Sequence, residues 1–193
     1  MNINYNINKK NFRIFTISNS LMALAFGLFG PFYLIFINNI GGSIENFGIA
    51  VGLVALAGAL MSFFAGKFSD KIGRKPFLII GGYSSALIVF LYTIINSIWQ
   101  LYLLQILSGL IISIFETSES AYLADITENK KRGSEIGKYS AYIGFTEAFA
   151  IFIGGFLAGK FGFEIIFYVV SVIFVISTTI MFKLSKSPAT TEK

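Results

Sequence analysis

The chain has 193 residues, of which 55% are hydrophobic and 13% are charged, and its formal net charge is +5. Soluble domains carry a charge on about a quarter of their residues, so this composition indicates an integral membrane protein. The chain contains no Cys and no His, which excludes a disulfide framework, thiolate or imidazole metal sites and His-based catalysis. Neither an enzyme nor a cofactor-binding protein is predicted.

Six apolar segments follow one another along the chain, and each is long enough to cross a bilayer. A polar lead, residues 1–11, precedes them, and a polar tail, residues 183–193, follows them. The first segment is too long for the apolar region of a signal peptide, so we expect it to remain as a membrane span. The predicted spans 1 to 6 cover about residues 12–37, 47–68, 77–95, 98–124, 136–158 and 163–182.

Span 1 contains Pro31 near its middle, preceded by Gly27 and Gly30. Proline removes a backbone hydrogen bond and usually kinks a helix. Such an interruption marks a binding region in some membrane proteins, whereas in others it is an ordinary packing kink. The sequence leaves both interpretations open.

The turn between spans 2 and 3 is short and densely charged. Because charged side chains are costly in the hydrocarbon core, this turn is expected to lie at one membrane face. A basic turn that only fixes topology would not require an acidic residue or two Gly residues. In chain order the turn contains Gly66, Asp70, Lys71, Gly73, Arg74 and Lys75.

Span 4 carries polar residues at spacings that place them on one face of a helix, namely Gln105, Ser108, Glu116 and Glu119. A carboxylate that faces lipid is costly, so this face is predicted to line the bundle interior or a water-filled cavity. Glu147, near the centre of span 5, is a third intramembrane carboxylate. These carboxyl groups either bind protons or substrate, or form hydrogen bonds between helices, and both roles remain open.

The basic residues indicate the orientation of the spans. With the termini, the 2–3 turn and the 4–5 loop on one side of the membrane, every Lys and Arg except Lys160 lies on that side. The positive-inside rule then places both termini in the cytoplasm of a multi-pass protein, and we expect the plasma membrane. The basic residues are spread over short segments that flank the spans, where membrane orientation and attraction to anionic lipid headgroups explain them. They therefore do not indicate a nucleic acid as a partner.

Two stretches resemble the major facilitator superfamily of secondary transporters. The 2–3 turn, residues 66–75, is similar to the signature loop of that family, and Ala121–Asp125 followed by Arg132-Gly133 is similar to its exit from helix 4. The resemblance implies an all-α membrane protein of six transmembrane helices arranged as a three-plus-three inverted repeat. It covers the whole chain and implies the N-terminal half of a twelve-helix major facilitator fold.

The resemblance also implies a cytoplasmic gating network. In the family, the signature Asp and basic residues join the acid at the end of helix 4 and stabilise the outward-open state, while the Gly residues allow close packing against a helix of the other half. Carried over by position, the core of the network would be Asp70, Arg74 and Asp125. Its full predicted membership is Gly66, Asp70, Lys71, Gly73, Arg74, Lys75, Asp125 and Arg132.

Two family patterns are absent. Gln105 stands where many members have an Arg in helix 4 that is tied to proton coupling, and Ala150-Ile151 replace the Gly-Pro pair that marks drug antiporters in helix 5. The sequence therefore supports neither proton coupling through an Arg in helix 4 nor membership of the drug-antiporter subclass.

The predicted function is secondary active transport of a small solute by alternating access, with proton-coupled efflux or uptake as an option. With no basic residue in any span core, a neutral or cationic compound fits better than an anion. The expected partners are the lipid bilayer, the solute, protons and a second six-helix half, supplied by a homodimer or a separate chain. The alternatives are a non-transporting membrane scaffold or regulator, or a fragment of a longer transporter. The candidate pathway comprises Pro31, Gln105, Glu116, Glu119 and Glu147, without a metal.

Overall fold

The computed structural model describes residues 2–185 of the chain and the side chains of residues 7–185. Most of the predicted polar tail, residues 186–193, lies outside the described residues. Every regular element in the described part is helical, which confirms the predicted fold class. Six helical segments are long and apolar enough to cross a membrane.

The span numbers used above also apply to the structure. Span 1 consists of an α-helix over Asn2–Phe29, a 3-10 turn over Gly30–Phe32 and a second α-helix over Tyr33–Asn39. Spans 2 to 6 are the α-helices Ile44–Ile72, Arg74–Leu91, Ile98–Ile126, Arg132–Phe161 and Phe163–Met181.

Pro31 divides span 1 into two α-helices. It lies in the 3-10 turn, where the Tyr33 N–H bonds to the Gly30 carbonyl oxygen instead of continuing the α-helical pattern. A proline ring cannot donate a backbone hydrogen bond and collides with the carbonyl of the preceding turn, so the helix tightens or breaks there. The predicted interruption is thus a real change of helix type within the membrane.

The helix contacts show the internal repeat. Span 2 packs on span 4, span 1 on span 5, span 3 on span 6, span 1 on span 6 and span 3 on span 4. This set of pairs is unchanged when spans 1, 2 and 3 are exchanged with spans 4, 5 and 6. Because each triplet has an odd number of spans, the two copies have opposite orientations in the membrane, which confirms the three-plus-three inverted repeat.

Glycines bring the paired helices into backbone contact. A Cβ atom at Gly154 of span 5 would lie 2.5 Å from the Leu28 carbonyl oxygen of span 1, and one at Gly27 would lie 2.6 Å from the Glu147 carbonyl oxygen. Small residues allow this close approach between membrane helices. The contact fixes span 5 against span 1 and thereby fixes the height of Glu147.

The buried core lies among spans 1, 3, 4 and 6, where Phe15, Leu78, Tyr122, Phe167 and Phe174 are almost fully buried. Spans 2 and 5 are the most exposed, with 11% of their apolar stretches buried against 33–44% in the other spans. These two helices therefore flank the bundle.

Candidate functional site

A single residue makes the turn between spans 2 and 3. Span 2 ends at Ile72 and span 3 begins at Arg74, while Gly73 adopts φ 105° and ψ 154°. Only glycine takes up this backbone conformation without steric cost, which explains why the turn contains it. The Gly73 N–H also bonds to the Ser69 carbonyl oxygen at 2.9 Å and closes the end of span 2.

Three predicted network residues meet at this turn. Arg74 forms an ion pair with Asp70, four residues earlier, and its Nε lies 3.5 Å from Oδ2 of Asp125 at the end of span 4. The side chains of Arg74 and Asp125 are only 14% and 17% exposed, whereas that of Asp70 is 66% exposed. Screening by solvent is therefore weaker for the Arg74–Asp125 pair, which links span 3 to span 4.

Two other predicted members cap helices. Lys75 Nζ donates to the carbonyl oxygens of Phe182 and Leu184 at 2.8 and 2.6 Å, just beyond span 6. Arg132 Nη2 donates to the Ala124 carbonyl oxygen at 3.0 Å, near the end of span 4. Cations at helix C-termini satisfy free carbonyl groups and interact favourably with the helix dipole.

The remaining predicted members, Lys71 and Gly66, contribute less within this chain. Lys71 is exposed. A Cβ atom at Gly66 would meet nothing closer than the Thr117 methyl group at 3.8 Å, an ordinary contact. The predicted close packing of Gly66 is against a helix of the second half of the transporter, so it stays a prediction.

Four of the five predicted pathway residues line one cavity. This glutamate cavity has a volume of about 510 Å³ and lies among spans 1, 3, 4, 5 and 6. Glu116 and Glu119 enter it from span 4, Glu147 from span 5 and Pro31 from span 1. The rest of its wall is mostly apolar and includes Phe26. No Lys or Arg is among the described lining residues, so the cavity combines an apolar surface with carboxyl groups of one sign.

The three carboxyl groups have different surroundings. Glu119 is half-buried and accepts a hydrogen bond from the Tyr139 hydroxyl of span 5. Glu116 and Glu147 are exposed in this chain. Glu116 also borders a second groove of about 400 Å³ between spans 2 and 4, so it stands where two openings meet. These positions allow a carboxyl group to reach both a ligand and water.

Gln105 lies apart from the glutamates. It is buried and accepts a hydrogen bond of 2.5 Å from the Tyr92 hydroxyl. It lines an adjoining cavity of about 190 Å³, and Phe26 and Gly30 line both cavities. The kink in span 1 therefore stands at the boundary between the two cavities.

Asn19 of span 1 also lines the glutamate cavity and was not predicted. Its side chain is buried, and neither its amide nitrogen nor its amide oxygen makes a hydrogen bond of ordinary geometry in the described part of the chain. The Tyr139 hydroxyl is a near polar neighbour. An isolated amide in an apolar segment is a functional signal in membrane proteins, and this signal was available in the Ser18-Asn19-Ser20 stretch.

Comparison with known proteins identifies relatives over most of the chain. Residues 15–193 match the family model described as Major Facilitator Superfamily. The uncharacterized MFS-type transporter YitZ of Bacillus subtilis is 35% identical over 162 residues, which cover 84% of this chain and 99% of YitZ. The multi-drug resistance efflux pump PmrA of Streptococcus pneumoniae is 31% identical over 166 residues, which cover 84% of this chain but 41% of PmrA.

Two further comparisons agree. Multidrug resistance protein 2 of Bacillus subtilis is 30% identical over 96% of this chain and 46% of its own length. The crystal structure of the human organic anion transporter MFSD10 (TETRAN) superposes with a TM-score of 0.67 at 17% identity, covering 93% of this chain and 48% of that one, and so supports the fold. Apart from YitZ, the chain spans less than half the length of these relatives.

Proposed function

The chain belongs to the major facilitator superfamily, and from this premise we propose that it forms one half of a secondary active transporter. It is a multi-pass integral membrane protein with six spans. In the proposed mechanism it moves a small solute by alternating access, in which the central pathway opens to one side of the membrane at a time.

The glutamate cavity is the observation that carries this proposal. It brings Glu116, Glu119 and Glu147 together beside the kink at Pro31, although these residues come from three different spans. Intramembrane carboxyl groups that face a cavity are usually part of a substrate or proton pathway. A wall of aromatic and aliphatic side chains with carboxyl groups suits a neutral or cationic organic compound. The names of two relatives, a multi-drug efflux pump and a multidrug resistance protein, support export of such compounds.

We propose that protons use the same carboxyl groups. Gln105 cannot titrate and is held by Tyr92, so coupling through that position is not available. Glu119 has a hydroxyl partner in Tyr139, while Glu116 and Glu147 reach open space. A proton and a cationic solute would then compete for the same negative sites, which is the simplest form of exchange.

The Asp70–Arg74–Asp125 cluster supports the proposed cytoplasmic gate. It ties the start of span 3 to the end of span 4 on the side that the basic residues mark as cytoplasmic. Opening the pathway to the cytoplasm would require this cluster to rearrange. The same distribution of basic residues supports an orientation with both termini in the cytoplasm, and we propose the plasma membrane as the location.

A second half would supply the other wall of the pathway. Large apolar side chains stand exposed on the flanking helices, such as Phe63 of span 2 and Phe145 and Phe152 of span 5, each at least 74% exposed. Two copies of this chain would have the same orientation in the membrane, so a homodimer satisfies the geometry, as would a separate chain or a further segment. YitZ, of which the alignment of 162 residues covers 99%, is a second half-length member of the family and supports assembly from half-length chains.

Ethidium export tests the proposed function. Cells that express the chain should lose preloaded ethidium faster than control cells, and Glu119→Gln should abolish this difference. Glu164→Gln is the matched control, because Glu164 is exposed at the start of span 6 and does not line the glutamate cavity. If the purified chain binds ethidium but cells that express it show no faster export, the non-transporting scaffold is favoured instead.

A further inference from the structure

A second concave surface lies between spans 1 and 5. This 1–5 furrow has a volume of about 470 Å³ and shares no lining residue with the glutamate cavity. Its walls include Arg13, Thr16, Ile17 and Ser20 of span 1 and Tyr142 and Thr146 of span 5. It is therefore a separate feature on the outer surface of the helix pair that Gly27 and Gly154 hold together.

The wall of the furrow is mostly apolar, and two of its hydroxyl groups are bonded within their own helices. The Thr16 hydroxyl donates to the Phe12 carbonyl oxygen at 2.8 Å, and the Thr146 hydroxyl donates to the Tyr142 carbonyl oxygen at 2.8 Å. Both hydroxyl protons are used within their own helices, so the threonines are left to present methyl groups to the furrow. Such a surface suits a hydrocarbon chain.

Arg13 lies at the cytoplasmic end of the furrow, close to the edge of the membrane. Two residues earlier, the Asn11 side chain accepts a hydrogen bond of 3.2 Å from the N–H of Ser185, which follows the end of span 6. Ser185 marks the level at which the chain leaves the membrane after span 6. Arg13 lies two residues further along span 1 than Asn11, about 3 Å deeper in the membrane. It is exposed, and none of the ion pairs among the described residues involves it.

A long side chain at this depth extends towards the lipid headgroups so that its guanidinium group stays at the membrane surface. There its N–H groups can donate two parallel hydrogen bonds to a phosphate. On the opposite wall, Tyr142 is 60% exposed, and aromatic rings with a polar tip are favoured at this level of the bilayer. Lys138, one turn towards the cytoplasm from Tyr142, is also exposed. The furrow therefore joins an apolar trough to a positively charged end.

We propose that the 1–5 furrow binds an anionic phospholipid of the cytoplasmic leaflet, with its phosphate on Arg13 and an acyl chain between spans 1 and 5. The site does not depend on the proposed transport function, because its residues are outside the glutamate cavity and the gating cluster.

Native mass spectrometry of the purified chain tests this proposal. The chain is released from nanodiscs of phosphatidylethanolamine that contain a minor fraction of phosphatidylglycerol. We expect one retained phosphatidylglycerol molecule per chain, and Arg13→Gln should lower its occupancy about fivefold, the effect of one cation near an anionic surface. Lys10→Gln removes a charge from the same helix outside the furrow and should leave the occupancy unchanged.

A second variant separates the furrow from diffuse attraction and from a folding defect. Ser20→Trp fills the furrow without changing any charge, and it should also release the lipid while helical content by circular dichroism stays at the wild-type level. Equal losses in the Arg13 and Lys10 variants would overturn the proposal, as would full retention in Ser20→Trp. A dimer that Ser20→Trp dissociates would also overturn it, because the furrow would then hold a second copy.

Discussion

At the scale of single residues, Asn19 is a buried side chain with few polar contacts among the described residues. It is buried beside Tyr139, yet its amide makes no hydrogen bond of ordinary geometry with the described residues. A buried amide without partners lowers stability by about 1–3 kcal/mol. Its position in the glutamate cavity offers a function that balances this cost, namely a hydrogen bond to the solute or to a water that travels with it.

Replacing Asn19 with Leu should therefore separate stability from transport. We expect Asn19→Leu to unfold at the same temperature as the wild type or at a higher one, since an unpartnered polar group is removed, and to lose ethidium export. Asn11→Leu is the matched control: the Asn11 amide nitrogen also lacks a partner among the described residues, but its oxygen accepts the hydrogen bond from Ser185. This variant leaves the Ser185 N–H unpaired, so it should be destabilised by about 1 kcal/mol. Thermal unfolding in detergent and export in cells give the two readouts, and normal export by Asn19→Leu would remove Asn19 from the pathway.

Sequence reasoning found residues that lie close together along one helix and missed those that meet across helices. Glu116 and Glu119 are three residues apart in span 4, so helical spacing alone places them on one face. Gln105 shares that face but lies eleven residues earlier, about 16 Å along the axis, and therefore belongs to a different cavity. Tyr139 and Asn19 escaped notice because the spacing within spans 1 and 5 does not reveal how the two helices are rotated against each other.

At the scale of helices, the position of the break in span 1 bears on the two interpretations that the sequence left open. The 3-10 turn at Gly30–Phe32 lies beside the two cavities: Gly30 lines both of them, and Pro31 lines the glutamate cavity. A kink that served packing alone would not need to face open space. This placement favours a binding region.

Pro31→Ala should restore a continuous α-helix in span 1. Proline in a helix interior costs about 3 kcal/mol, so part of that free energy should return as higher thermal stability, while export falls because the wall of the cavity moves. Pro76→Ala provides the control, since Pro76 occupies the first turn of span 3, where proline is tolerated and its removal changes little. Unchanged export by Pro31→Ala, with a straight span 1 shown by distances between spin labels, would contradict a binding role for the kink.

The order of the spans was predictable from hydropathy, and their pairing was not. Apolar length identifies each crossing segment, but the choice of span 5 as the neighbour of span 1 depends on the backbone contact at Gly27 and Gly154. Glycine pairs of this kind are common in membrane helices, and the sequence does not state which pair meets which. The family resemblance implied the inverted repeat without stating the pairs, and the exchange symmetry of the contacts agrees with that repeat.

At the scale of the whole molecule, the described part of the chain combines the glutamate cavity with two exposed flanking helices. A Cβ atom added at Gly48 or Gly52 of span 2 would meet nothing within 4 Å, so these glycines pack against no other described helix. Together with the exposed phenylalanines of span 5, they leave room for a second half to approach. We therefore propose that the six-span bundle moves as one rigid unit whose cytoplasmic edge is held by Arg74.

The most direct test of this account is the accessibility of the glutamate cavity from each side of the membrane. Because the chain has no native Cys, Ile143→Cys places a single thiol in the cavity wall, and Val172→Cys places one on the exposed outer face of span 6 as a control. Membrane-impermeant thiol reagents are then applied to right-side-out and inside-out vesicles. We expect labelling of residue 143 from both sides, faster labelling from the cytoplasm when Arg74→Gln is added, and no labelling of residue 172. Labelling of residue 143 from one side only, with a rate that Arg74→Gln does not change, would contradict alternating access through this cavity.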